Sequence, residues 1–356
     1  MKTHQVQQKT ERRISAALRL VFVAALLLGQ IALAFFLSTE LRQRAAIIYT
    51  VLELAAFGYA VRIYNRTDGT SYKFGWIFLV LTVPVVGLIL YFLWNGDRQQ
   101  KRLDLKKLPM PEEPEAQQAA HRIQMEKLRR KYPQWERLSV YLGRQGYLLY
   151  GDTEAKYLPT GEMFLQDMLE KLEQAEHFIF LEFFIIAQGQ IWDRMEEIFR
   201  RKAAAGVEVK IIFDDFGSMM RFPAGQIEAL RESGVEVQVF NPVHHYVNRL
   251  YFNYRDHRKI VCIDGSTAYT GGANVADEYA NLTVRFGYWK DCGIRLDGAG
   301  AWGLTREFLH MWQRNGGQLM QERDYYRPHD HREAAGFCQP FVDGPDNNPI
   351  STAEDV

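Results

Sequence analysis

The sequence predicts N-terminal transmembrane helices followed by an α/β domain in which a mixed sheet is flanked by helices. The first hundred residues contain long apolar runs, and the run 74–94 carries no charged side chain. After residue 140, short apolar strands alternate with amphipathic helical segments, which is typical of a sheet covered by helices. The 356 residues carry no net charge, so the composition gives no sign of a nucleic-acid partner.

Three apolar runs within residues 14–95 are long enough to cross a bilayer. They comprise residues 14–37, 45–64 and 74–94. Glu53 and Arg62 weaken the second run, so the sequence predicts two or three transmembrane helices. The first run is too long for the apolar part of a signal peptide and is expected to be retained.

Basic residues beside these runs set the predicted orientation. A slight excess of Lys and Arg on the side opposite the N-terminal tail, residues 1–13, predicts a cytoplasmic catalytic region. The following linker, residues 96–135, is charged and contains proline. Its basic run 101–107 has two open interpretations, namely contact with anionic head groups or a solvated tether.

The catalytic region, residues 136–343, contains helices and strands that alternate along the chain. Helical patterns predict helices at residues 162–175, 191–205, 224–233 and 302–312. Apolar runs predict strands at residues 177–186, 207–213, 235–240 and 293–296. A sheet with helices packed over it accounts for this order.

A predicted hairpin organises this region. It consists of an apolar strand, a turn at Asp264-Gly265 and a returning strand at residues 267–270. Because strand side chains alternate, His257 and Lys259 are expected on the same face. Asp264 falls on the opposite parity at the turn and is expected to brace the hairpin.

The residues around the hairpin suit a phosphodiester substrate. The neutral imidazole of His257 can attack phosphorus, and Lys259 supplies a compact positive charge for a phosphate oxygen. The Asn274 amide adds hydrogen bonds, and Gly271 and Gly272 allow a substrate to approach the backbone closely. The alternative is an exposed polar hairpin with an incidental histidine.

His257, Lys259 and Asp264 form the pattern His-x-Lys-x4-Asp, which is followed by Gly-Gly-x-Asn. This combination resembles the signature of the phospholipase D superfamily. Together with the N-terminal runs, including their Pro-Val-Val-Gly segment, nearly the whole chain resembles bacterial cardiolipin synthases of that superfamily. The resemblance implies that residues 136–343 form a phospholipase D-like catalytic half.

The implied reaction is transphosphatidylation, in which two phosphatidylglycerols give cardiolipin and glycerol without a metal, a nucleotide or another cofactor. His257 would be the nucleophile that forms a phosphatidyl-histidine, with Lys259 and Asp264 completing the catalytic motif. Lys259 and Asn274 would hold the phosphate oxygens. The implied partners are phosphatidylglycerol and other membrane lipids, and not nucleic acid.

Two further carboxylates are assigned supporting roles. In the resembling family, an acidic residue at the strand position of Glu182 lies beneath the cleft; the alternative is a carboxylate that faces outward. Asp291 would orient a catalytic histidine of the opposite half-site, or else pair with Lys290 at the surface. Asp214 follows a strand directly and is expected to begin a loop or cap a turn.

The sequence departs from the family pattern in having one motif where the family normally has two. His310, His329 and His331 lack the spaced lysine. The chain is therefore expected to be one half of the active site, with residues 344–356 leading to a missing second half, or to pair with a second copy. The alternatives are a phospholipase D-type phosphodiesterase acting on lipid or nucleic acid, and an inactive membrane-bound half-protein.

Overall fold

The computed structural model describes residues 24–25, 28–32, 35, 42–66, 70–94, 115–242, 255–318, 322–326 and 336–344. The chain divides into two compact units, one that contains the N-terminal helices and one that contains the α/β domain. Most of the predicted run 14–37, all of the basic run 101–107 and residues 345–356 lie outside the described residues.

The N-terminal unit contains three described helices. They are α1 (Arg42–Tyr64), α2 (Thr70–Thr82) and α3 (Pro84–Trp94). Within the described residues, one helical stretch, Ile47–Tyr64, is long and apolar enough to cross a bilayer. This stretch coincides with the second predicted run.

The prediction of one continuous helix over residues 74–94 is wrong. The helix is interrupted before Pro84, and α2 and α3 fold back on each other. The rings of Trp76 and Tyr91 lie 5.5 Å apart, and a Cβ at Gly87 would lie 2.5 Å from a backbone oxygen of α2. Proline has no N–H to donate and clashes with the preceding turn. The two helices have 13 and 11 residues, so they are roughly 20 and 17 Å long and shorter than a bilayer core.

The α/β unit is built on a seven-stranded mixed sheet, as predicted. Its strands are β1 (Thr153–Leu158), β2 (Phe178–Phe183), β3 (Glu208–Asp214), β4 (Glu236–Phe240), β5 (Lys259–Ile263), β6 (Thr267–Gly271) and β7 (Gly293–Gly298). The order is β1-β7-β6-β5-β2-β3-β4. Strands β2, β3 and β4 are parallel, and the remaining pairings are antiparallel.

Helices cover both faces of this sheet. The longer ones are α4 (Glu115–Lys131), α5 (Glu136–Arg144), α6 (Gly161–Leu172), α7 (Gln190–Ala204), α9 (Ala224–Glu232) and α10 (Ala301–Arg314), with the single turn α8 (Asp215–Ser218) after β3. Apolar residues of α6 and α7 pack on one face, and those of α10 pack on the other. The four predicted helices are thus present with ends within three residues of those expected.

The topology brings several strand ends together where the parallel strands have their carboxyl ends. Strand β5 runs antiparallel to β2 and pairs Lys259 with Phe183, so the start of β5 lies beside the carboxyl ends of β2 and β3. The end of β6 lies at the same end of the sheet, where Gly271 pairs with Gly293 at the start of β7. Ligands of open α/β sheets commonly bind outside the carboxyl ends of the parallel strands.

Candidate active site

The side chains of His257 and Lys259 lie together at the carboxyl end of the parallel strands, as the alternation of strand side chains predicts. His257 is exposed just before β5, whereas Lys259 is buried at its first position. The Lys259 ammonium donates a hydrogen bond to the His257 carbonyl oxygen at 2.7 Å. The site therefore combines an accessible imidazole with a cation held by the same short segment.

The surroundings favour an uncharged His257. Partial burial and the positive charge of Lys259 lower the pKa of His257, and Asp256 opposes this effect. Burial also lowers the pKa of Lys259 to about 8, against the attraction of the Asp256 and Asp291 carboxylates. At neutral pH the imidazole can therefore act as a nucleophile while the lysine keeps its charge.

Phe184 contacts both of these side chains and is a site residue that sequence reasoning missed. Its ring centroid lies 4.8 Å from that of His257 and 5.7 Å from the Lys259 ammonium. The Phe184 carbonyl accepts a hydrogen bond from the Ser218 hydroxyl at 3.3 Å, and Gly217 packs against it so closely that a Cβ there would lie 2.1 Å away. Helix α8 thus fixes the position of Phe184 after β2.

Asn274 is buried and ties two parts of the site together. Its side-chain oxygen accepts a hydrogen bond from the Ile185 backbone N–H at 2.9 Å. Its amide nitrogen donates to the Tyr279 hydroxyl at 2.8 Å. These contacts use the oxygen and one amide hydrogen, so one N–H of the amide is available for an anion.

The two glycines of Gly-Gly-x-Asn allow strand β7 and Asp291 to approach β6. A Cβ at Gly271 would lie 2.6 Å from the Cys292 carbonyl oxygen, and one at Gly272 would lie 2.3 Å from an Asp291 carboxylate oxygen. Asp291 also accepts a hydrogen bond from the Cys292 N–H at 2.8 Å. The space beside these two glycines, which was expected to admit a substrate, is thus filled by the protein itself. This close packing brings Asp291 to the site.

Asp264 lies at the other end of β5 from His257, roughly 20 Å away along the strand. It has a left-handed conformation with φ of 51°. Its carboxylate accepts hydrogen bonds from three backbone N–H groups, those of Glu176, His177 and Phe178, each at 2.8 Å. Asp264 therefore braces the hairpin against the start of β2, as predicted, and does not reach a group bound at His257.

Asp264→Ala is expected to lower the free energy of unfolding by about 2–3 kcal/mol, because three backbone donors lose a charged acceptor. Asp264→Asn should cost less, because asparagine tolerates the left-handed conformation and keeps one side-chain oxygen acceptor. Urea titration in detergent gives both values. Equal stability of the alanine variant and the parent would contradict the bracing role.

Glu182 lies on the other face of the sheet from Lys259, because the two residues fall on opposite parities of neighbouring strands. It is fully buried and pairs with the Arg258 guanidinium at 2.8 Å, which contradicts the outward-facing alternative. Arg258 also contacts Asp256 at 3.3 Å. Glu182 thus meets the site through Arg258.

Asp214 belongs to the support of the site. Its carboxylate accepts hydrogen bonds from the N–H groups of Phe216 and Gly217 and so caps α8, as the sequence predicts. It also accepts from the Asp256 N–H at 2.9 Å and pairs with Arg255 at 3.3 Å. Burial raises the pKa of Asp214 to about 7. Within the described residues, no group of three or more His, Cys, Asp or Glu side chains is placed to hold a metal ion.

An open cleft of about 440 Å³ lies beside His257. Arg258 and Lys259 contribute to its polar part. Its apolar wall includes Ile260, Ile294, Leu296, Leu304 and Phe341. Of the other histidines considered from the sequence, His310 is buried in α10, and His329 and His331 lie outside the described residues.

Two protein families match parts of this chain. Residues 168–284, from α6 to the loop beyond Asn274, match the phospholipase D-like domain of cardiolipin synthase. Residues 168–284 thus form a phospholipase D-like domain that is similar to that of cardiolipin synthases. Ahead of this phospholipase D-like domain, residues 54–95 match the phospholipase D-nuclease N-terminal family.

The relatives of the domain are longer than this chain. An uncharacterised protein of Streptococcus mutans is 35% identical over 298 residues, which cover 81% of this chain and 62% of that protein. Cardiolipin synthase 2 of Bacillus anthracis is 30% identical over 296 residues, which cover 83% of this chain and 57% of that protein. The chain thus spans about three-fifths of the length of these relatives. Among solved structures, NucT from Helicobacter pylori covers 46% of this chain and 97% of its own, with 11% identity and a TM-score of 0.37, which is too low to compare the folds in detail.

Proposed function

We propose that this chain supplies one half of the active site of a cardiolipin synthase. The observation that carries the proposal is the exposed His257 imidazole, with its lowered pKa, beside the buried Lys259 ammonium. Relatives named cardiolipin synthase that align over most of the chain support a phospholipid substrate.

In the proposed reaction, a nitrogen of His257 attacks the phosphorus of one phosphatidylglycerol. The bond from phosphorus to the glycerol oxygen breaks, and an acid protonates that oxygen as phosphatidyl-histidine forms. A hydroxyl of a second phosphatidylglycerol then attacks phosphorus and passes its proton to the group that had protonated the glycerol. The bond from phosphorus to His257 breaks, which yields cardiolipin. Lys259 and the second N–H of Asn274 stabilise the phosphate oxygens, and no step calls for a metal or a nucleotide.

The acid comes from a second histidine in this proposal. As the nucleophile, His257 cannot also protonate the leaving glycerol in the same step. A second motif-bearing half, or a second copy of the chain, would supply that histidine, and Asp291 would orient its imidazole. The greater length of the relatives is consistent with a second half in the same polypeptide.

In this proposal, the chain is a multi-pass membrane protein whose catalytic region lies in the cytoplasm. The stretch Ile47–Tyr64 supports membrane attachment, because it is one helix of sufficient length and hydropathy. The Lys and Arg residues of the run 101–107, between the last apolar helix and the catalytic region, support the orientation. Access of a membrane-impermeant thiol reagent to Cys292, which is exposed, tests it in intact cells.

The 356-residue chain alone is expected to be inactive as a monomer, because general acid catalysis is typically worth about 10²–10⁴ in rate. The purified chain in detergent is assayed for conversion of phosphatidylglycerol in EDTA, with its mass measured on the same sample. A separately expressed second half should restore turnover. Robust turnover by a species shown to be monomeric would contradict the two-histidine account.

The same assay separates transfer from hydrolysis. Transfer gives cardiolipin and glycerol, whereas water in place of the second phosphatidylglycerol gives phosphatidic acid. Phosphatidic acid as the sole lipid product would favour the phosphodiesterase alternative. Turnover by a dimer of this chain would leave the chemistry in place and identify the second copy as the source of the second histidine.

The pH dependence of kcat/KM is expected to have two limbs. Activity requires neutral His257, so it rises with pH through a pKa below the ordinary value for histidine. Activity also requires charged Lys259, so it falls as pH passes about 8. Lys259→Arg should remove the contribution of Lys259 to the alkaline limb, since arginine stays protonated, and leave the loss of activity that follows deprotonation of the acid histidine. An unchanged alkaline limb in that variant would assign it to another group.

A further inference from the structure

The loop from residue 282 to residue 288, here called the apolar loop, exposes an unusual set of side chains. Leu282, Val284, Phe286 and Tyr288 are 47%, 87%, 76% and 69% exposed. Single exposed apolar residues are ordinary on a protein surface, but a contiguous group marks a surface that meets a partner or a membrane.

The exposed surface extends beyond the apolar loop. Tyr157 at the end of β1 and Met163 in α6 are also exposed. The base of the loop contacts the segment between them, because Asn281 donates to the Glu162 carboxylate at 2.7 Å and Lys290 donates to the Pro159 carbonyl. Tyr157 and Met163 thus flank the segment that the base of the loop contacts.

The ends of the apolar loop are held firmly. Asn281 donates to the Trp289 carbonyl at 2.9 Å and accepts from the Trp289 N–H at 2.8 Å, so the two residues close the neck of the loop. Within the loop, Arg285 pairs with Glu278 at 3.2 Å. The exposed apolar side chains are therefore presented from a fixed base.

The base of the apolar loop lies beside the candidate active site. The ring of Trp289, at the neck, lies 4.6 Å from that of Tyr279, whose hydroxyl accepts the hydrogen bond from Asn274. Two residues beyond Trp289 is Asp291, which contacts Gly272. The base of the apolar loop therefore adjoins Asn274 and Asp291 of the candidate active site.

We propose that the apolar loop inserts into the lipid bilayer and brings the candidate active site to the membrane surface. The proposal rests on the function proposed above, in that the substrates are bilayer lipids. Two exposed basic side chains suit anionic head groups such as phosphatidylglycerol, namely Arg285, which also pairs with Glu278, and Lys290 at the base of the loop. Tyr288 has the half-polar character of residues found at membrane interfaces.

Insertion is tested on the full chain in vesicles that contain phosphatidylglycerol. An environment-sensitive fluorophore is attached at Val284→Cys in a chain with Cys292→Ser, since Cys292 is the exposed cysteine of the described residues. The matched control carries the same label at Glu232→Cys, an exposed position at the end of α9 beside the opposite edge strand β4. Quenching is measured with spin-labelled lipids and with aqueous iodide.

The label at position 284 is expected to be quenched about twofold or more by the lipid-borne quencher and to be shielded from iodide, whereas the control shows the reverse. A label shielded from both quenchers would place the loop against protein, such as a second motif-bearing half. A label open to iodide would place it in water. Either result overturns the proposal, and neither depends on enzymatic turnover.

A second measurement connects insertion with activity. Val284→Ser combined with Phe286→Ser should lower turnover of long-chain phosphatidylglycerol in vesicles by about tenfold and leave turnover of a soluble short-chain analogue unchanged. Equal loss on both substrates would contradict a role at the membrane. If the parent assembly turns over neither substrate, the proposed function fails, while lipid quenching at position 284 would still establish insertion.

Discussion

His257→Asn is expected to abolish phosphatidyl transfer, with a loss of at least about 10⁴ in kcat for the active assembly, because loss of a covalent nucleophile is among the largest single effects in enzymes. Asparagine keeps a polar side chain of similar reach but cannot attack phosphorus. The measurement is cardiolipin formation from labelled phosphatidylglycerol, together with acid-quenched trapping of a labelled phosphatidyl-enzyme.

His177→Asn is the matched control for this variant. His177 is also exposed and adjoins the same β2–β5 pair, but it lies at the opposite end of the sheet and contributes its backbone N–H to Asp264. The control should keep full activity and form the labelled enzyme. A labelled enzyme in the His257→Asn variant would show that another residue is the nucleophile.

Arg258→Met is expected to lower the free energy of unfolding by about 3–5 kcal/mol, because it removes the guanidinium that pairs with the buried Glu182. Replacing both partners, with Glu182→Leu and Arg258→Met, should recover part of this loss, since two apolar side chains leave no buried charge at that position. Asp256, which also contacts Arg258, limits the recovery. Urea titration in detergent measures each variant.

Arg137→Met provides the control, because Arg137 is exposed on α5. This change should alter the free energy of unfolding by no more than about 0.5 kcal/mol. If Arg258→Met has an equally small effect, the buried pair does not stabilise the fold. If the double variant is less stable than Arg258→Met alone, Glu182 makes a stabilising contact independent of Arg258.

Local patterns in the sequence were sufficient to predict the hairpin that carries His257 and Lys259. The turn at Asp264-Gly265 has φ values of 51° and 67°, which suit a tight hairpin, and the alternation of side chains places Lys259 correctly. Strand β1 was missed because four of its six residues are exposed, which hides the apolar alternation of an edge strand.

Contacts between distant elements could not be predicted in the same way. Phe184 reaches Lys259 because β2 pairs with β5 in one particular register, and local sequence does not encode the register of two strands that lie 75 residues apart. Local sequence likewise did not reveal the structural role of Asn274, whose side-chain oxygen accepts a hydrogen bond from the Ile185 backbone N–H. The two adjacent phenylalanines at the end of β2, Phe183 and Phe184, were the feature of the sequence that could have indicated Phe184 as a site residue.

The helix break before Pro84 also involves packing between the two helices, which composition does not reveal. Composition alone favoured a continuous span, because membrane helices tolerate proline. The fold-back requires Gly87 to pack against the backbone of α2, where a side chain would collide. The absence of a side chain at Gly87 thus permits the close packing of the helical pair.

The fold-back of α2 onto α3 changes the expected topology of the chain in a membrane. A pair of short helices that enters and leaves through the same leaflet is re-entrant, and it contributes no crossing. If the pair inserts in this way, residues 70 and 94 face the same aqueous compartment, and the side on which the catalytic region lies is set by the crossings before residue 70. An even number of earlier crossings places the N-terminal tail and the catalytic region in one compartment, and an odd number places them in different ones.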